Sequence, residues 1–530
     1  MPIIKSLPRC HLRMLIAKKP IIFFKSLSAV SLFVLLQSNG YAQDTNYLKN
    51  IKDGVAGFIK PKEDQSFRTA QLKTLSDFKY QPEIDSSEPL PVVKPYTGQK
   101  QSQNNRNSEK VRNQSVYTGQ ARALSIEEAI QIAVKRNPSI AQAISTLASQ
   151  NANIDVAKAQ YYPQLKAGMN TGDFTSSDKG RQLYSVEANQ LLYDFGKVKS
   201  SVTTQKNKLA LEQANVLVSI DDISTQTARA ILALVRYRNI IKIAQDQYNG
   251  VSRLHEIARL RADAGISSNA DPVQAQSYVE YARAYVITQQ NLLKQQEQKL
   301  RTFLGFDVSQ TDFIIPDEFV KMSGLYDDPE MNTIPSMIVA KAEIDVAQSQ
   351  KKQTQLSSYP TISLVGSVNK AVNGINPNTG LQNDTDSSLG VQVSSNFYQG
   401  GAVGSQVKAA NYAEQAARSK LNATYLNIVD QAQIARESIE NTDKQIWVLM
   451  DRERSTAKTR ELYEEQYKLG KRSILDLLSS EQSYQSSRIE REGARFDIYD
   501  TIAVFINVTG KSRNAYHLNN IQIQGFEVQP

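Results

Sequence analysis

The chain has 530 residues, 62 Lys and Arg against 53 Asp and Glu, 40% hydrophobic residues and a mean hydropathy of −0.43. That length allows two or three ordinary domains, but the apolar fraction is too small for several globular cores; Gln, Ser, Ala and Asn crowd its middle as in long solvent-facing helices. One cysteine and three histidines leave no disulfide framework and no cluster at metal-ligand spacing.

The N-terminus reads as an export signal spanning residues 1–42. Lys5, Arg9, Arg13, Lys18, Lys19 and Lys25 form an acid-free basic region, followed by the apolar run Ser26 to Leu36 and the small residues Gly40 and Ala42 around a cleavage point. The apolar run is well short of the ~20 residues of a membrane span. Cleavage removes six basic residues and Cys10, which lowers the net charge from +9 to about +3 and removes any reason to expect a nucleic-acid partner. No cysteine stands at the cleavage point to carry a lipid anchor. No later segment offers ~18 consecutive apolar residues, so outer-membrane residence would require β-strands. Residues 43–122, with Pro89-Leu90-Pro91 and the polar run 99–112, have the composition of a flexible extension.

Beyond residue 122 the chain is duplicated. Asn137-Pro138-Ser139-Ile140 matches Ile334-Pro335-Ser336-Met337 and Tyr162-Pro163 matches Tyr359-Pro360, both 197 residues apart. Tyr193-Asp194-Phe195-Gly196 matches Tyr398-Gln399-Gly400-Gly401, Gly265 and Asp271 match Gly470 and Asp476, and Gly305 matches Gly510, all 205 apart. One eight-residue insertion reconciles the landmarks, and the joining loop Ala371 to Ser388 is where a hairpin tip would accept it. The expected domains are a first repeat at 123–305, an inter-repeat segment at 306–333, a second repeat at 334–510 and a tail at 511–530.

Each repeat has the same order of elements. A helix opens at Pro138 or Pro335 and stops near Pro163 or Pro360. Two alternating stretches follow, Leu165–Met169 with Tyr184–Ala188 and Ile362–Gly366 with Leu389–Val393, which predict a β-hairpin in each repeat. Lys199 to Ala262 and Val403 to Leu469 contain no proline and one glycine each, Gly250 and Gly404. A helix of ~64 residues is ~96 Å long and must pack as a coiled coil, with Trp447 expected in a packed seam. Return helices are predicted over Asn269–Phe303 and Ser473–Asn507. Gly400 to Gly404 lacks the lysine of a phosphate loop and reads as a strand-to-helix turn.

The predicted fold is mainly α with a membrane β-barrel contribution, built from a duplicated helix, β-hairpin and long helical hairpin. Four strands of nine or ten residues are long enough to cross an outer membrane but too few to close, since the smallest membrane barrels have about eight. An open edge in lipid would strand backbone polar groups, so several chains must share one barrel.

Leu124-Ser125-Ile126-Glu127-Glu128-Ala129-Ile130 with Asn137-Pro138, Tyr162-Pro163, Leu192-Tyr193-Asp194-Phe195-Gly196, and Leu469-Gly470 with Asp476-Leu477 resemble the TolC family of outer-membrane factors. The resemblance spans Leu124 to Gly510. It implies a homotrimer with a twelve-stranded barrel in outer-membrane lipid above an α-helical barrel projecting into the periplasm. It also implies a periplasmic adaptor (membrane fusion protein) and an inner-membrane ABC or proton-driven transporter as partners. On that basis the helix reversals, Ala264-Gly265-Ile266-Ser267 and Leu469-Gly470-Lys471-Arg472-Ser473, are candidate adaptor-docking tips. Tyr467, Arg472 and Asp476 resemble the residues that constrict the closed periplasmic entrance through interhelical hydrogen bonds and ion pairs, with Asp271 the first-repeat counterpart of Asp476. Ser479 stands where relatives often carry a second acid. Tyr193 and Tyr398 are expected to end membrane strands as interfacial aromatics. The reading is a passive exit duct for type I protein secretion, with small-molecule efflux the alternative and a barrel-less coiled-coil surface protein the alternative of another class. No catalytic site, metal or cofactor is expected.

Overall fold

A computed structural model describes residues 123–172, 181–316, 319–396 and 398–528. The expected signal at 1–42 and the extension at 43–122 lie outside the described residues.

Strand β1 (Ala123–Ser125) leads into α1 (Ile126–Arg136) through a capping box: Ser125 Oγ accepts from the Glu128 amide at 3.1 Å, and Glu128 reaches back to the Ser125 amide. Asn137 then caps α2 (Pro138–Ala159), its Oδ1 accepting from the Ser139 amide at 2.8 Å, with proline at the first helical position. Strands β2 (Gln164–Gly172) and β3 (Arg181–Tyr193) follow. The long helix α3 (Lys197–Asp263) starts where the Asp194 carboxylate accepts from the amides of Gly196 and Val198 at 2.9 and 2.6 Å. Its return partner is α4 (Ala270–Leu304). The inter-repeat segment holds β4 (Asp312–Ile314), which pairs in parallel with β1, and the short α5 (Phe319–Met322).

The second repeat runs α6 (Pro335–Leu356), β5 (Thr361–Val372), β6 (Thr385–Ser394), α7 (Ala402–Lys468) and α8 (Ile474–Val508). The chain ends in α9 (Ser512–Ala515) and the hairpin β7 (Gln522–Ile523) with β8 (Phe526–Glu527). Both long helices have 67 residues, about 100 Å of α-helix. The predicted strands are present, two of them at the expected nine and ten residues and the central pair, β3 and β5, longer at 13 and 12.

The eight extra residues of the second repeat divide between two places. Four lengthen the hairpin connection, residues 373–384 against 173–180, and four lengthen the segment between β6 and α7, residues 395–401 against 194–196. Tyr398 therefore does not end a strand, as Tyr193 does, but lies four residues past Ser394. The β5–β6 ladder stops at Thr361 opposite Ser394, because Pro360 has no amide with which to continue it. Strand β3 runs on to Tyr193 because β5 pairs with it as far as Ile362.

The helices form a wall one helix thick. Near the tips its order is α4, α3, α8, α7, and nearer the sheet it is α2, α3, α6, α7, with the two 67-residue helices running through both halves. A belt of apolar core crosses the middle. It gathers Ile130 and Val134 of α1, Ile220 and Ile231 of α3, Leu304, Phe313, Phe319, Ala435 of α7 and Phe505 of α8. Tyr516, Leu518, Phe526 and Val528 of the C-terminal segment are buried in the same core. Trp447, expected in a packed seam, is 66% exposed within one chain. It lies on the flank of α7 that neither α6 nor α8 covers.

Candidate functional site

The four long strands form one antiparallel sheet in the order β2, β3, β5, β6. The ladder registers assign every side chain to a face. One face carries Leu165, Ala167, Met169, Tyr184, Val186, Ala188, Ile362, Leu364, Val368, Leu389, Val391 and Val393, and most of these are exposed. The opposite face is mainly polar, with Lys166, Asn170, Ser185, Glu187, Asn189, Ser363, Ser367, Asn369, Asp386, Ser388 and Gln392 beside Leu183, Val365 and Ala371, while Gln190, Lys370, Thr385 and Ser387 fall on the apolar face. An exposed apolar face with a polar face behind it is the pattern of a sheet set between lipid and a wet lumen. Among the described residues strands β2 and β6 each have a partner on one side only, which leaves two rows of backbone groups open there.

At the far end of the wall both helical hairpins reverse through a glycine in the left-handed region, Gly265 at φ 67° and Gly470 at φ 71°. The reversals repeat the same bonding. The amides of Gly265 and Gly470 donate to the carbonyls of Ala262 and Tyr467, and those of Ile266 and Lys471 to Arg261 and Gln466. Nothing lies within 4 Å of a Cβ built on Gly265, and only the Arg261 guanidinium lies at that limit for Gly470. Ile266 and Leu469 project as exposed apolar groups beside Ala264, Lys471, Arg472 and Ser473, while Ser267 is half-buried.

The sequence-derived entrance residues converge here. Val251, Leu254 and Ala258 of α3, Ala275, Val279 and Ala282 of α4, and Ile474, Leu477 and Leu478 of α8 form a small apolar cluster around Tyr467 at the end of α7. Tyr467 is buried, and its hydroxyl has no hydrogen-bond partner among the described residues. Burial pushes the phenol above its usual range; Arg261 opposes the shift and Asp271 adds to it. Arg472 does not bridge the two hairpins within one chain. It stacks 4.4 Å from the Tyr463 ring centroid, donates to Gln466 Oε1 at 3.0 Å and lies 3.7 Å from Asp476, one turn away. Asp476 also lies in the first turn of α8, where its amide donates to Ser473 Oγ at 3.2 Å.

The link across the hairpins comes from residues that no motif in the sequence singles out. Arg261 Nη1 of α3 donates to the Tyr467 carbonyl at 3.1 Å, and its guanidinium sits 4.8 Å from the Tyr467 ring centroid. Two turns away, Arg253 forks onto both oxygens of Glu464 at 3.1 Å each. Burial pushes the Glu464 carboxyl up, but the Arg253 fork and Lys468 outweigh it and hold the group below the usual range. Farther from the tips, Arg229–Asp500, Arg236–Asp497, Asn239–Glu492 and Asp246–Arg488 fix the antiparallel register of α3 and α8. The exposed ion pairs among them contribute ~0–1 kcal/mol each, so they set alignment more than stability.

The family profile described as outer membrane efflux protein matches residues 129–306 and 332–510. Outer membrane protein TolC of Salmonella enteritidis is 21% identical over 402 residues, 72% of this chain and 81% of TolC. Outer membrane efflux protein BepC of Brucella suis is also 21% identical, over 75% of this chain and 88% of its own length. The solved Campylobacter jejuni CmeC outer membrane channel, 12% identical, superposes with a TM-score of 0.62, covering 84% of this chain and 95% of that one.

Proposed function

The chain belongs to the outer membrane efflux protein family, and from that premise we propose that three copies build one exit duct through the outer membrane and periplasm. It is an outer-membrane channel protein of TolC type and not an enzyme. One observation carries the assembly: a four-stranded sheet with an apolar face, a polar face and two unpaired edges. In lipid each open edge strands a row of amides and carbonyls, and pairing β6 of one copy with β2 of the next removes both. Three copies give a twelve-stranded barrel with the polar faces inward. Tyr412, Leu426 and Trp447 support the same assembly in the helical wall. They recur at multiples of seven along α7 and stay exposed in one chain, the pattern of an unpartnered coiled-coil seam.

In this reading the Gly265 and Gly470 reversals dock a periplasmic adaptor, and Tyr467, Arg472, Asp476 and Asp271 narrow the entrance. The duct is passive; an inner-membrane ABC or proton-driven transporter supplies the energy. The cargo is a secreted polypeptide, in keeping with a cleavage region that lacks a lipid-anchor cysteine. Small-solute efflux is the second reading, favoured by the family description and by the name of BepC. Membrane extraction should yield a heat-modifiable oligomer that conducts in planar bilayers; a soluble monomer would refute the duct. Loss of the gene should remove a large polypeptide from the medium and leave sensitivity to small toxic solutes unchanged. The opposite result would select efflux.

A further inference from the structure

Residues 373–384, which connect β5 to β6, are folded onto the polar face of the sheet. Asn369 and Asp386 are cross-strand partners on that face, and Asn369 Nδ2 donates to Asp386 Oδ2 at 3.1 Å. Two asparagines of the connection reach the same carboxylate. Asn376 Nδ2 donates to Asp386 Oδ1 and Asn378 Nδ2 to Asp386 Oδ2, both at 2.8 Å. A side chain on the polar face can be met only from that side, so the connection bends over it instead of continuing the plane of the strands. Ala371, which shares the polar face with Asn369, is fully buried, as is Asn376.

The fold of the connection explains the bend. Asn373 and Asn383 stand at its two feet with φ of 56° and 55°, the left-handed conformation that asparagine tolerates better than most residues. Two such residues turn the chain out of the strand direction at both ends. Between them the Asn376 amide donates to the Leu381 carbonyl at 2.8 Å, the Gly380 amide to the Asn376 carbonyl at 2.9 Å, and Ile375 bridges Gln382. The Asn376 side chain accepts from the Asn378 amide at 2.9 Å. The result is a small folded body latched to one carboxylate.

We infer that residues 373–384 form an inward-folded lid at the external mouth of the duct, which limits the size of what passes and is held by Asp386. The inference rests on the barrel reading, in which the polar face lines the lumen and this connection lies at the end of the barrel opposite the helices. One lid from each copy would narrow the exit independently of the periplasmic entrance. The connection is four residues longer than the segment 173–180 that joins β2 to β3.

The test uses the full chain in whole cells. Its only cysteine, Cys10, precedes the expected cleavage point. Ser388→Cys places a thiol on the polar face beneath the lid, with Gln392→Cys as a deeper second position should the first not assemble. Membrane-impermeant maleimides, one small and one attached to a bulky polymer, are added outside. The small reagent is expected to label the thiol with or without the lid, and the bulky reagent only after residues 374–382 are replaced by a two-residue turn or Asp386 is changed to Ala. Equal labelling by the bulky reagent with the lid intact would overturn the lid and leave the barrel standing. A thiol at both positions that no reagent reaches, even with the lid removed, would overturn the barrel reading and the lid with it.

Discussion

Removing a buried hydroxyl from the entrance should leave the duct closed, whereas removing one guanidinium should open it. Arg261 donates a charged hydrogen bond of 3.1 Å to the Tyr467 carbonyl and stacks 4.8 Å from its ring. A charge-assisted bond contributes about 1.5–3 kcal/mol and a partly desolvated cation–π contact about 0.5–2 kcal/mol. Arg261→Ala therefore loses roughly 2–5 kcal/mol of the link between hairpins in each chain. About 5.5 kcal/mol carries a two-state equilibrium from 1:99 to 99:1, so the loss in three chains is enough to open a closed entrance. The Tyr467 hydroxyl is buried with no partner among the described residues, and an unsatisfied polar group of this kind costs about 1–3 kcal/mol. Tyr467→Phe should remove that cost, leave the ring under Arg261 and keep single-channel conductance at the wild-type level. The assay is conductance and open dwell time of purified protein in planar bilayers. If Tyr467→Phe opens the channel as far as Arg261→Ala, the phenol is the latch and the assignment to Arg261 fails.

The other predictions concern the tips, the belt and one buried acid. Replacing Gly265 or Gly470 by a bulky residue should abolish export while the extracted trimer persists, because the space around both is open; intact export would refute docking there. Gly510 shares the positive φ of the tip glycines but differs in its surroundings, since a Cβ there would lie 2.9 Å from the Ile334 Cα. Left-handed strain of ~1–2 kcal/mol and a clash costing ~1–3 kcal/mol should lower the thermal midpoint of Gly510→Ala, and an unchanged midpoint would refute the close approach. Asp221 is buried between Arg513, Asp222 and Tyr516, and burial pushes its carboxyl from the usual 3.8 up to about 7. The folded chain then binds a proton that the unfolded chain has released. Stability from this group is full below pH ~4 and falls as pH rises to ~7, by at most ~1.4 kcal/mol per unit. Melting between pH 4 and 8 should show that decline, and Asp221→Asn should flatten it; an equal slope in both proteins would exclude Asp221 as its source.

Much of the fold is legible because backbone chemistry punctuates it. Pro138 and Pro335 open helices, Pro163 and Pro360 precede strands, and Gly265, Gly305, Gly470 and Gly510 close helices with positive φ. These signals are local and duplicated, so a register can be read from them. The parts that escaped depend on distant partners. Arg261 is one arginine on a 67-residue helix, and the carbonyl it holds is 206 residues away. The segment after Gly510 reads only as a tail, yet Tyr516, Leu518, Phe526 and Val528 are buried in the belt, because only tertiary packing collects apolar groups so widely spaced. The match to Tyr193 predicts a strand end at Tyr398, whereas β6 ends at Ser394, because the duplicated landmark carries no information about where the Pro360 ladder must stop.

The unequal strength of the two apolar clusters decides which end of the helical wall can move. The belt draws on both repeats, the inter-repeat segment and the C-terminal segment, with Ile130, Ile144, Ile231, Phe319, Phe505 and Tyr516 almost fully buried. Each such side chain contributes about 1.5–3 kcal/mol, so separating the belt would unfold the chain. The tip cluster has far fewer members, several of them alanines, and is supplemented by the Arg261 link and the Arg253–Glu464 fork. Between the two, Gly250 packs against the Glu481 carboxylate so closely that a Cβ would lie 2.8 Å from Oε1. That contact brings α3 and α8 together at the upper edge of the tip cluster, with the register-fixing ion pairs beginning above it at Asp246–Arg488. An opening motion that stops there breaks only the small cluster and its two arginine links. One that passes beyond it must also shear the α3–α8 register. In the proposed duct, opening is expected to be confined to the last turns of the hairpins, about 20–25 Å at 1.5 Å per residue between Gly250 and Gly265, with the belt as the frame against which they turn.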